Sequence, residues 1–200
     1  MNFLAHIYLS GDDELLTIGN FVADGIRGNK YKTYPKKVQA GIMLHRAIDT
    51  FTDAHPTFRQ STKRLHKNYG HYSGVIVDIF YDHFLAKNWK NYSNIVLDKY
   101  VDDFYHSLNK NFEILPARFK HLTPIMIEHN WLVSYATLDG IQNILNGMNQ
   151  RTKGKSKMNE ATNELKEFYS EFEKDFTSFF QELQSFAITK KNEVEKQFKI

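Results

Sequence analysis

The stretch "DIFYDHFLAKNW", residues 78–89, crowds Ile79, Phe80, Tyr81, Phe84, Leu85 and Trp89 at spacings of one, three and four. Strict two-residue alternation is missing, so the segment reads as a buried helix, not a strand. Asp78, Asp82 and His83 stand inside that crowd, where an isolated ionised group would cost several kcal/mol to bury. Asp78 and Asp82 are four apart and leave nearly the same helix face. His83 lies about 100° further round. Polar groups so placed need something that neutralises them.

The rest of the chain follows the same period. Helices are expected at about 13–26, 35–53, 56–68, 72–90, 94–112, 119–135, 137–149 and 158–195. Pro35 suits a first helical turn, the "HP" of His55 and Pro56 ends the second helix, and Pro116 and Pro124 punctuate the approach to the sixth. In the last segment Phe168, Phe172, Phe176, Phe179, Phe180, Leu183 and Phe186 draw one apolar stripe down a long helix, expected to pack on the remainder. "RTKGKSK", residues 151–157, is the hinge before it. The reading is an all-α, single-domain helical bundle over residues 1–200.

Composition narrows the classes. Hydrophobic residues at 42% and charged residues at 24% are ordinary for a globular protein, and no apolar run reaches the ~18 residues of a membrane helix. The N-terminus has no basic leader or small-residue cleavage site, so a cytoplasmic protein is expected. No cysteine occurs, which leaves His, Asp and Glu for any metal. A net charge of +3 does not by itself argue for nucleic acid, and none is expected as a partner. The basic stretches "RGNKYKTYPKK" (27–37) and "FRQSTKRLHK" (58–67) would attract an acidic or phosphorylated one.

A second set of polar groups repeats the pattern of the first. In "GIMLHRAIDTFTDAHP" His45 and Asp49 are again four apart among Ile42, Ile48 and Phe51. Asp24 ends "TIGNFVADGIRG", and His6 sits within the apolar "NFLAHIYL". Each alone has a bland explanation as a hydrogen-bonded core group or a partner for a neighbour such as Arg27. Carboxylates gathered together repel unless a cation neutralises them. Imidazole and carboxylate without sulfur suit Mn, Fe, Mg or Zn, with carboxylates leaning toward the harder ions. Arg46 and Lys87 could each hold a phosphate oxygen or pair with a nearby acid.

"MNFLAH", "GNFVADGIRG" (19–28), "GIMLHRAIDTFTDAHP" (41–56), "DIFYDHFLAKNW" (78–89) and "WLVSYATLDGIQNILNGM" (131–148) together resemble the acyl carrier protein phosphodiesterase family, to roughly residue 190. The resemblance implies an all-helical, atypical relative of the HD-type phosphohydrolases, with Mn(II) the expected metal and Mg(II) or Fe(II) as alternatives. It implies removal of 4'-phosphopantetheine from holo-acyl carrier protein. Carried over by position, it assigns Asp24, His45, Asp49, Asp82 and His83 to the metal-centred site, with Asp78 and His6 as further candidates. The His-Asp dipeptide of ordinary HD enzymes is absent, and "DH" stands at 82–83; Gly25 replaces a common bulky aromatic.

The expected mechanism has the ion held by Asp24, His45 and Asp82, with His83 or Asp78 assisting, and water attacking phosphorus. Asp49 would orient His45 or accept a proton, and Arg46 or Arg27 would offset negative charge. The acidic carrier would dock on the two basic stretches. Two other readings stay open: hydrolysis of a nucleotide or other small phosphoester by the same helices, and a non-catalytic helical binding module.

Overall fold

The computed structural model describes residues 2–200; Met1 of the opening "MNFLAH" lies outside them. The elements in chain order are α1 (Phe3–Leu9), α2 (Glu14–Val22), α3 (Lys36–Ala54), α4 (Pro56–Tyr69), α5 (Ser73–Lys87), α6 (Leu97–Lys110), α7 (Ala117–Glu128), α8 (Trp131–Ser134), α9 (Leu138–Arg151), α10 (Thr162–Glu167) and α11 (Tyr169–Phe198). Short 3-10 turns join several of them, and no strand occurs among the described residues. The all-α expectation holds, and no helix is long and apolar enough to cross a membrane among those residues.

Local chemistry explains most boundaries. Asp13 accepts from the Leu16 N–H at 3.0 Å and starts α2, and the Thr137 hydroxyl accepts from Gly140 N–H to start α9. Pro35 and Pro116 precede α3 and α7, and Pro56 occupies the first turn of α4 behind the extended His55. Three expectations are corrected. The helix expected over 13–26 ends at Val22 and tightens into a 3-10 turn over Ala23–Gly25. The helix expected over 119–135 is two, because Asn130 takes a left-handed conformation (φ 43°) between α7 and α8, while Pro124 lies inside α7. The long C-terminal helix breaks at Phe168, whose φ of −111° and ψ of 32° separate α10 from α11.

The core has one contact that fixes the site's frame. α2 and α3 meet at Gly19 and Gly41, where an added Cβ would lie 2.2 Å from the Val38 carbonyl oxygen and 2.0 Å from that of Leu16. Only glycine permits this approach. It brings Asn20 of α2 beside His45 of α3. α11 lies across α3, α4 and α5 and buries Phe172, Phe176, Phe179, Phe180 and Leu183 of the expected stripe, with Phe168 and Phe186 half-buried. Asp175 of α11 accepts from Ser61 at 2.8 Å and pairs with Arg64 at 2.5 Å, fastening α11 to α4.

Candidate functional site

The imidazoles of His6 on α1 and His45 on α3 stack with centroids 4.0 Å apart and planes 22° apart. Asn20 sets their orientation. Its amide nitrogen donates to the His6 carbonyl oxygen at 3.0 Å and to Ser10 Oγ at 2.9 Å, which turns its oxygen toward His6 Nδ1 at 2.8 Å and His45 Nδ1 at 3.2 Å. Both rings then present Nε2 to the same carboxylate. Asp49 Oδ1 is 3.2 Å from His6 Nε2, and Asp49 Oδ2 is 3.0 Å from His45 Nε2. Asp24 Oδ1 reaches His45 Nε2 at 3.2 Å from the 3-10 turn after α2.

Charge in this cluster is unevenly shared. Burial pushes His6 down to about 4, reinforced by the charge on His45. Burial would also lower His45, but its hydrogen bonds to Asp24 and Asp49 outweigh this and raise it to about 9. Against the effect of burial, the two imidazoles hold Asp49 far below the usual carboxylate range. The hydrogen bond from His45 lowers Asp24 against the opposing effect of burial. At neutral pH a charged His45 and a neutral His6 carry three ring N–H groups on four ring nitrogens, which face acceptors in five contacts. A divalent cation would relieve that shortage, since both Nε2 lone pairs would be available to it.

His6, His45 and Asp49 offer ligand atoms that all lie within 4.8 Å of one another. The set fits an ion that accepts nitrogen and oxygen donors, and Asp24 is adjacent. Asn20, its Oδ1 facing both Nδ1 atoms, would act as the outer partner that leaves both Nε2 atoms to such an ion.

Two expected ligands are engaged elsewhere. Asp82 is fully buried and accepts from the Leu4 N–H at 2.7 Å and the Ala5 N–H at 3.3 Å, so it caps the first turn of α1. Burial raises it to about 7, although those two donors favour the ionised form. His83 Nδ1 meets the Tyr135 carbonyl oxygen at 2.7 Å and Nε2 meets Tyr169 Oη at 2.8 Å, a bridge from α5 to α11 and to the segment after α8. Neither joins the His6, His45 and Asp49 group. The cause is rotational: helix spacing sets which face a residue leaves, but the neighbour on that face comes from the tertiary fold.

The expected cations are also corrected. Arg46 donates to the carbonyl oxygens of Ile26 at 3.2 Å and Gly28 at 2.9 Å and lies over the Tyr31 ring, so it staples the segment after Asp24. Arg27 is exposed on that segment, and Lys87 pairs with Glu173 at 3.5 Å. The cleft that opens over the cluster, about 720 Å³, is lined instead by Arg118, Arg151 and His129, together with Asp24, Asp49, Asp53 and Asp78. Burial raises Asp78 to about 6. Asp53 completes a stripe with His45 and Asp49 at spacings of four on α3, which the sequence showed without its being singled out. Gly25 has its own explanation, since a Cβ there would lie 2.9 Å from the Phe119 ring that fills the space.

The family model for acyl carrier protein phosphodiesterase matches residues 1–183. The chain belongs to the acyl carrier protein phosphodiesterase family. Relatives carrying that name include one from Yersinia pestis, 34% identical over 76% of this chain and 80% of its own length. One from Photorhabdus laumondii is 32% identical over 76% of this chain and 77% of its own. One from Escherichia coli is 34% identical, covering 76% and 79% respectively. No solved structure matches the chain. The five resembling blocks, from Met1 to Met148, fall within the span that the family model covers.

Proposed function

We propose that this protein hydrolyses the phosphodiester joining 4'-phosphopantetheine to the serine of holo-acyl carrier protein, releasing the apo-carrier, with Mn(II) as its metal. The observation that supports this most is the convergence of two imidazoles and two carboxylates from α1, α3 and the turn after α2, with both carboxylates, Asp24 and Asp49, lining the acidic end of one cleft. His6, His45 and Asp49 would hold the ion, with Asp24 as the adjoining carboxylate. Such an ion supplies Lewis acidity toward a phosphoryl oxygen and makes water nucleophilic at neutral pH.

The chain's own residues supply the remaining functions. Asn20 fixes both imidazoles with Nε2 toward Asp49, whose carboxylate lines the cleft. Arg118 and Arg151, on the cleft wall, offset negative charge on the phosphoryl oxygens, the role the sequence reading gave to Arg46 and Arg27. Asp78 lines the same cleft with a carboxyl proton retained to about pH 6, and it passes that proton to the departing serine oxygen. A cytoplasmic location and the absence of a nucleic-acid partner belong to the same reading.

Incubation with holo-carrier and Mn(II), followed by intact-mass spectrometry, tests the reaction. The expected result is loss of the phosphopantetheine arm from the carrier, with turnover slowed about 10²–10⁴-fold in Asp78→Asn. An intact carrier alongside cleavage of nucleotides would transfer the site to a small phosphoester. An intact carrier and no change of thermal stability with Mn(II) would leave a non-catalytic helical module.

A further inference from the structure

Six residues of α9 line the cleft: Gly140, Asn143, Ile144, Gly147, Met148 and Arg151. Their spacings of three and one trace a single helix face, and Ile141 and Leu145 bury the other against the core. The two glycines on that face differ in kind. A Cβ at Gly140 would lie 1.9 Å from the Ser134 carbonyl oxygen, so glycine there permits α8 to pack closely. A Cβ at Gly147 meets nothing within 4 Å. Glycine inside a helix is disfavoured relative to alanine, and no packing contact calls for it at this position. What it leaves is room.

We propose that this face of α9 seats the pantetheine arm of the substrate, and that Gly147 at its centre sets the space the arm occupies. The inference rests on the phosphodiesterase reading above. The surface suits a slender chain of methylenes and amides: Val75, Trp131, Ile144 and Met148 offer apolar contact, and Asn143 and Ser134 offer isolated polar partners. Val75, 39% exposed, presents its apolar side chain on the wall of this cleft. The cleft is continuous with Asp24 and Asp49, so an arm lying on α9 leads its phosphate to the acidic end. Its volume of about 720 Å³ falls within the ~300–1,000 Å³ of pockets that enclose small ligands.

The test compares Gly147→Ala and Gly147→Leu with the wild type. It uses steady-state cleavage of holo-carrier, calorimetric binding of pantetheine alone, melting temperature and the thermal shift given by Mn(II). Gly147→Ala is expected to melt about 2–4 °C higher while binding pantetheine less well, opposite signs that general damage to the fold would not give. Gly147→Leu is expected to raise KM for holo-carrier roughly tenfold or more and to remove pantetheine binding, with the Mn(II) shift unchanged. Wild-type KM and pantetheine affinity in Gly147→Leu would overturn the inference while leaving the phosphodiesterase reading intact. Wild-type protein that neither cleaves holo-carrier nor binds pantetheine would overturn both.

Discussion

At the scale of single residues, Asn20 does what no charged neighbour could. Its two amide hydrogens are committed to the His6 carbonyl oxygen and Ser10 Oγ, so its oxygen has a fixed direction, and two imidazoles take their orientation from it. Replacing it with alanine is expected to weaken Mn(II) binding about 10–100-fold with the fold retained, as measured by calorimetry beside circular dichroism. The paired imidazoles also give metal binding a pH dependence of defined sign. His45, raised to about 9, must lose its proton to bind an ion, whereas His6, at about 4, is already neutral at pH 7. Binding should therefore release about one proton at pH 7, and affinity should climb up to tenfold per pH unit until about pH 9, then level off. Titrations in buffers of different ionisation enthalpy measure that proton directly. His6, Asp24, His45 and Asp49 were legible as candidates because charge inside an apolar pattern is conspicuous; Asn20 was not, because a neutral amide in "GNFV" looks like any buried polar group.

At the scale of elements, α1 and α5 depend on each other. α1 has only seven residues, is buried at Leu4, Ala5, His6, Ile7 and Leu9, and begins with backbone donors accepted by Asp82 of α5. Isolated helices of that length are unstable in water, so tertiary packing and the distant cap hold it. The sequence could not show this, since seven residues barely span two turns and the cap arrives from 77 and 78 positions away. For the same reason Asp82 looked like a metal ligand. Asp82→Ala is expected to cost about 1–3 kcal/mol of stability in urea unfolding, through two orphaned buried N–H groups, while the folded fraction still binds Mn(II) in unchanged stoichiometry. Loss of the ion with full stability retained would return Asp82 to the metal. The break at Phe168 was hidden for a different reason: the Phe stripe runs across it without proline or glycine, and periodicity alone cannot locate such a joint.

At the scale of the whole molecule, α2 and α3 pressed together at Gly19 and Gly41 form the frame, α1 and α5 close one side, and α7 to α9 supply the opposite cleft wall. The basic stretches are only partly available for docking. Lys37 pairs with Asp13 at 2.6 Å and Arg64 with Asp175, whereas Lys30 and Lys32 are exposed on the turn that follows the Asp24 segment, and Lys36 is exposed at the start of α3. If those lysines steer an acidic carrier, raising ionic strength from about 0.01 to 0.15 M shortens the Debye length from about 30 to about 8 Å and should lower kcat/KM with kcat nearly constant. An unchanged kcat/KM would remove the steering role. The central claim is that His6, His45 and Asp49 form one metal site that cleaves holo-carrier. The most direct measurement titrates chelator-stripped wild-type protein and His6→Ala with Mn(II) while following apo-carrier formation. Wild-type protein should recover activity with saturation near one ion per chain, and His6→Ala should need at least about tenfold more Mn(II) or recover none. Identical titration curves for the two proteins would contradict it.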